Sequence, residues 1–291
     1  MQQVTIIGCG DIGERVAKIW YSRGLPVHVV VRNTERAQYL SNQNFDVILA
    51  DLDRDDLSHI PSENQWLFWF APPGLDGCED SRIRRWLMGL DEKSLPKKIV
   101  YISTSGVYGD CQGAWVDEST PVNPQSERAK RRVDAEQQLS AWCERHQVPY
   151  VILRVPGIYG PGRWPIATIK RAQPVLKRAE SPFSNRIHQD DLAQICVAAM
   201  LRKEGVGIIN VGDGQQSTMS DYFQSVAKAF DLPIPKEVSW DEAQRVLSPG
   251  MLSYLTESRR INNQKMLTSL NIKLRYPTLE DALRDDVCCE G

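Results

Sequence analysis

Short β-branched and aromatic runs alternate, through the first half of the chain, with stretches whose apolar residues recur at helical spacing. Residues 4–8 form the first such run, and it stops in glycines. Over 12–23, Val16, Ile19 and Trp20 return every three or four positions, which predicts a helix. Gly24 and Pro26 end it, residues 27–31 read as a second strand, and Asn33 and Thr34 can cap a helix over 35–40. Residues 46–50, 65–71 and 99–103 read as three further strands. These runs are solidly apolar rather than alternating, as in a sheet covered on both faces. Strands alternating with helices then imply parallel order and right-handed crossovers. The expected fold class is α/β, a Rossmann-type doubly wound parallel sheet.

Residues 106–125 are rich in Gly, Pro and acidic side chains and read as a loop over the sheet's carboxyl edge. A long helix over 126–146 and a strand over 150–155 follow. Beyond 156 the pattern loosens into a turn-rich segment with Gly157, Gly160, Pro161, Gly162 and Pro165. A helix from Asp190 to Leu201, a strand over 207–211 and helices near 219–230, 240–247, 263–269 and 278–287 complete the reading. Two regions are expected. Residues 1–155 form the nucleotide-binding core, and 156–291 contribute the last strands and helices plus a smaller substrate-side subdomain.

Composition changes this picture little. A formal net charge of -2 gives no reason to expect nucleic acid or an acidic membrane as partner. Seven cysteines, none in a C-x-x-C pair, fit a reducing compartment better than a disulfide framework, so a cytoplasmic protein is expected. Adjacent Cys288 and Cys289 can oxidise if exposed. Four histidines, isolated in sequence, predict no metal site. Arg82, Arg84 and Arg85, like Arg259 and Arg260, read as solvated faces.

Gly8-Cys9-Gly10-Asp11-Ile12-Gly13 is a G-x-G-x-x-G turn after a strand and opening a helix. The first glycine permits the tight turn, the second lets backbone approach a pyrophosphate, and the third lets helix pack on strand. The pyrophosphate would rest on the N–H groups of the helix start. The second strand ends in Arg32 and Asn33, without the acid that holds a ribose 2′-hydroxyl in an NAD site. Arg32 can pair with a 2′-phosphate, which favours NADP over NAD. Asp51 and Leu52, after the third strand, and Ala71, after the fourth, complete the expected cofactor contacts, although Asp51 equally fits the cap of a turn.

Several longer motifs occur in one order: Gly8–Gly13, Asp51-Leu52, 101–109 (YISTSGVYG), 153–163 (LRVPGIYGPGR), 186–193 (RIHQDDLA) and 210–214 (NVGDG). Through them the chain resembles the extended short-chain dehydrogenase/reductases, the NAD-dependent epimerase/dehydratase family, and within it a bacterial YeeZ-like atypical branch. The resemblance implies a nicotinamide cofactor on the N-terminal sheet and a small-molecule substrate, such as a nucleotide sugar, over the C-terminal part. A homodimer is compatible with it. It puts the family's hydroxyl catalyst at Thr104, beside Ser103 and Ser105, and a substrate phosphate near Arg163. His188 reads as structural, and Asp190 and Asp191 as helix-capping.

The family's Tyr-x-x-x-Lys pair has no counterpart. Anchored on Glu136, its two positions fall on Arg128 and Arg132; anchored on the lysine, they fall on Ser126 and Lys130. An arginine stays protonated at neutral pH and has no proton to exchange, but it can hold phosphate or carboxylate oxygens. Either the acid–base group is displaced, with Tyr108, Tyr159, Glu118 and Thr104 as candidates, or the chain kept a dinucleotide pocket as a sensor without the chemistry, or it is an interaction protein on an inherited fold.

Overall fold

All four residues of β1 (Val4–Ile7) are buried, and their side chains divide between the two faces of a sheet, as strand alternation requires. A computed structural model describes residues 2–290, with side chains through residue 287. After β1 come α1 (Asp11–Ser22), β2 (Val27–Val31), α2 (Thr34–Ser41), β3 (Asp46–Leu49), β4 (Trp66–Trp69), α3 (Ser81–Gly89) and β5 (Lys98–Thr104). Then follow α4 (Glu127–His146), β6 (Tyr150–Val155) and β7 (Gly207–Asn210). These strands form one seven-stranded sheet in the order β7-β6-β5-β4-β1-β2-β3. Every neighbouring pair is parallel. The order reverses between β1 and β4, and a doubly wound sheet opens its ligand crevice at the carboxyl ends of such a pair.

Val4, Ile6, Val29 and Phe68 pack on one face against Val16 and Trp20 of α1 and Leu192 and Cys196 of the helix Gln189–Leu201. Ile7, Val30, Leu67 and Trp69 pack on the other against Trp86 of α3 and Leu139 of α4. Each such side chain contributes about 1.5–3 kcal/mol when fully buried, which is why the runs carry no polar alternation. A separate cluster around Tyr159, Trp164, Tyr222 and Phe223 builds the region beyond the sheet. Among the described residues no helix is long and apolar enough to cross a membrane.

The expected loop over 106–125 contains more order than its composition suggests. A 3-10 turn covers Ser105–Tyr108, and Trp115–Val116 pairs in parallel with Arg260–Ile261. Arg82 is not a solvated residue. Its side chain is 11% exposed, and Nε donates to Asp53 at 2.7 Å. Arg85 likewise donates to the carbonyls of Leu52 and Asp55, while Arg84 remains largely exposed. The side chains of Cys288 and Cys289 lie outside the described residues.

Candidate functional site: a glycine turn and an arginine-lined cavity

The glycine turn sits at the point where the strand order reverses. Gly8 has φ +92°, and a Cβ there would lie 2.3 Å from the Ala71 nitrogen at the end of β4. A Cβ at Gly13 would lie 3.0 Å from the Gly8 carbonyl oxygen. These two glycines therefore serve packing. Gly10 differs, because nothing lies within 4 Å of the place its Cβ would take. It is the N-cap of α1 and supplies no side-chain acceptor to the first-turn N–H groups. Open space in front of unmet helix donors fits the pyrophosphate of a dinucleotide.

The surrounding residues hold this turn in shape. Arg36 donates from Nε to the Cys9 carbonyl and from Nη2 to the Gly10 carbonyl, both at 3.2 Å, and pairs with Glu14 at 2.7 Å. Asn33 caps α2 by accepting from the Arg36 N–H. Burial pushes the Cys9 thiol up to about 12, so it stays a thiol and a packing group. Asp51 accepts from the Asp53 N–H and so caps a turn, and Leu52 and Ala71 are buried in one apolar cluster. Ile12 packs inward. Asp11 forms ion pairs with Arg15 and with Arg163, whose Nε is 2.8 Å away. Arg163 thus stands at the start of α1.

Along the same edge lies a cavity of about 660 Å³. Its walls include Pro72 to Leu75 after β4, Ser103 to Gly106 at the end of β5, Pro156 to Ile158 after β6, and the first turns of α4. Thr104, Ser105, Arg128 and Arg132 all line it. Thr104 Oγ1 accepts from the Gly106 N–H at 3.2 Å, which leaves its own proton to donate. Arg132 Nη1 donates to the Tyr101 hydroxyl at 3.0 Å and the Ile102 carbonyl at 2.8 Å. Arg128 lies over Tyr254 and donates to its hydroxyl at 2.6 Å.

Tyr108 is elsewhere. It is 1% exposed, and its hydroxyl is engaged with the Asp117 carbonyl, Asn210 and Arg154. Burial raises it further from ionisation. It belongs to a buried chain in which Arg154 pairs with Glu136 at 2.7 Å and Ser103 donates to Glu136. Tyr159 and Glu118 do not line the cavity either: Tyr159 is fully buried, and Glu118 accepts from the Asn210 N–H. His188 is the N-cap of the helix Gln189–Leu201 and contacts Asp286, and Asp191 accepts from the N–H groups of Arg275 and Tyr276. Tyr254, Arg131, Arg186 and Arg259 line the cavity without having been singled out as site residues in the sequence. Arg186 stands 3.5 Å over the Tyr222 ring, and its Nε is buried without a partner. Its place in the 186–193 motif was the available signal. Arg259, expected on a solvated face, is a cavity wall that donates to the Gly109 carbonyl and Glu257. Tyr254 and Arg259 arrive from segments far along the chain and gave no local sign.

A family model described as the NAD dependent epimerase/dehydratase family matches residues 4–212. The chain belongs to that family. Protein YeeZ of Escherichia coli K12 is 27% identical over 289 residues, covering 95% of this chain and 97% of YeeZ. The dTDP-D-glucose 4,6-dehydratase of Mus musculus is 27% identical over 124 residues, 40% of this chain. The chain spans only 35% of that enzyme's length, and 21% of its human counterpart's. Among solved structures, a functionally unknown conserved protein from Silicibacter pomeroyi superposes with a TM-score of 0.83 at 26% identity, covering 100% of this chain and 99% of that one.

One expectation is corrected by solved structures of this fold. The UDP-glucuronic acid 4-epimerase of Bacillus cereus, solved with UDP-glucuronic acid and NAD, has a TM-score of 0.76 at 21% identity, with 99% of this chain and 98% of that chain covered. Other structures of this fold also carry NAD. The dinucleotide printed for these structures is NAD, against the expectation of NADP. Arg32 misled because a cation at a strand end need not meet a phosphate. Here it is exposed and adds its charge to that of Arg82, the main partner, in holding the Asp53 carboxyl low.

Proposed function

We propose that this family member binds NAD across the glycine turn and acts on a nucleotide sugar in the arginine-lined cavity. The observation that carries this reading is the open Gly10 cradle lying on the same sheet edge as a cavity with hydroxyl and guanidinium groups. NAD, when bound, supplies reversible hydride exchange. Residues 156–291 supply the outer wall, where the guanidinium of Arg186 is a donor for a diphosphate oxygen. Thr104 and Ser105 donate hydrogen bonds to the sugar's reacting oxygen and orient it. Among the described residues Tyr254 is the one phenol on the cavity wall, and we assign it the proton exchange that the family's helix tyrosine performs elsewhere. Arg128, which falls on that tyrosine's position when the motif is anchored on Glu136, holds Tyr254 by its hydroxyl.

The test is to incubate the NAD-loaded protein with a panel of nucleotide sugars and analyse products by chromatography. Conversion of one of them, abolished in Tyr254→Phe with NAD binding intact, is the expected result. Binding without any conversion favours a second reading, a dinucleotide-dependent sensor. That reading draws on the absence of tyrosine and histidine at the start of α4.

A further inference from the structure

The cavity carries more positive charge than a diphosphate needs. Five arginines line it (Arg128, Arg131, Arg132, Arg186 and Arg259) against a single carboxylate, Glu257. Glu257 is already paired with Arg259 at 2.7 Å. Among the described residues, none of the other four forms an ion pair with a carboxylate, whereas the buried Arg154 does. The Nε groups of Arg131 and Arg186 are buried with no hydrogen-bond partner, and Arg131 is only 8% exposed. The carboxyls seen to feel these charges, Asp80 for Arg132 and Asp213 for Arg186, are both buried, and burial raises each toward the neutral form. Like charges gathered at a partly dry wall cost free energy unless an anion meets them.

The charges fall in two groups. Arg186 and Arg259 come from the C-terminal half, and Arg128, Arg131 and Arg132 from the first turns of α4. Arg128 and Arg132 are four residues apart on one helix face, with Cβ atoms roughly 6 Å from each other. Both are held in place by neutral oxygens: Tyr254 fixes Arg128, while Tyr101 and the Ile102 carbonyl fix one nitrogen of Arg132. Their remaining N–H groups are free to receive an anion as pre-oriented donors. The diphosphate assigned to the Arg186 side leaves this second group unmatched.

We infer that the substrate's sugar carries its own carboxylate, held by Arg128 and Arg132. The inference rests on the proposed nucleotide-sugar reading and narrows it to glycosyl groups of the uronic acid type. A planar carboxylate suits guanidinium donors, whereas the primary hydroxyl of an ordinary hexose leaves both charges unanswered.

Two probes differing only at this group decide the matter, UDP-glucose and UDP-glucuronic acid, titrated calorimetrically into the NAD-loaded protein. UDP-glucuronic acid binds more tightly by about tenfold or more, the worth of one charge-assisted pair. Arg128→Met, an exposed position, and Arg132→Lys, which keeps the charge but loses the fork, each shrink that preference. Arg186→Met weakens both ligands to the same extent. Equal affinity of the two probes, or a preference unchanged in both α4 variants, overturns the carboxylate site and leaves the nucleotide-sugar reading standing. Failure of both probes to bind overturns the two together.

Discussion

Glu136 and Arg154 are 4% and 3% exposed, and among the described residues each is the other's only ion-pair partner. Truncating one member of such a pair leaves the other buried and unmet, which costs about 3–5 kcal/mol. Glu136→Ala should therefore lose that much in urea denaturation, with a loss below about 1 kcal/mol speaking against a dry pair. Asp213 offers a pH test. Burial pushes its carboxyl up to about 7, against an opposing pull from Arg186. The fold thus favours its neutral form. That contribution is complete below about pH 4, near the ordinary carboxylate value, and is lost as the pH climbs to about 7. Thermal melts of Asp213→Asn should show a flatter decline across this window than the parent protein. Superimposable pH profiles would mean that Asp213 is solvated. Sequence made Glu136 visible as an anchor four residues beyond Arg132, but not its partner, because Arg154 sits on another strand. Arg32 shows the opposite failure. Its place at a strand end suggested a phosphate contact, and only its surroundings, exposed and within electrostatic reach of Asp53, give the charge another use.

At the scale of elements, the β1–turn–α1 unit was the most legible part of the chain. Three glycines at fixed spacing after a strand mark the turn in the sequence, and their separate duties in the structure give separate predictions. Gly8→Ala places a Cβ against the Ala71 backbone at positive φ, so it should destabilise the fold by at least ~2 kcal/mol, combining left-handed strain with overpacking. Gly10→Ala meets no atom and should shift stability by under about 1 kcal/mol, the scale of an N-cap change. It should nevertheless weaken NAD, since the methyl fills the cradle. Equal melting of Gly8→Ala and Gly10→Ala proteins would remove this division of roles. The helix Pro249–Leu255, which delivers Tyr254, was not legible. It is under two turns long, opens on Pro-Gly, and takes its order from packing on Leu176 and Val238. The pairing of Trp115–Val116 with Arg260–Ile261 was hidden for a related reason, because two-residue strands carry no periodicity.

Across the whole molecule, the sheet's carboxyl edge joins the two halves of the proposed chemistry. The glycine turn lies where β1 and β4 part, and the cavity runs from the end of β4 past β5 to β6. Parallel order follows from apolar runs separated by helices, so this edge could be located from sequence alone. The cavity's outer wall could not, because Arg186, Tyr254 and Arg259 reach it through folding of distant segments. The central claim is that the Gly10 cradle holds NAD, and calorimetric titration of NAD into the wild-type and Gly10→Val proteins, with melting curves alongside, tests it most directly. The expected result is one NAD per chain for the wild type and at least about a hundredfold weaker binding for Gly10→Val, a loss of roughly 2.7 kcal/mol, with nearly unchanged melting. Equal NAD affinity in the two proteins, or no binding by the wild type, would contradict it.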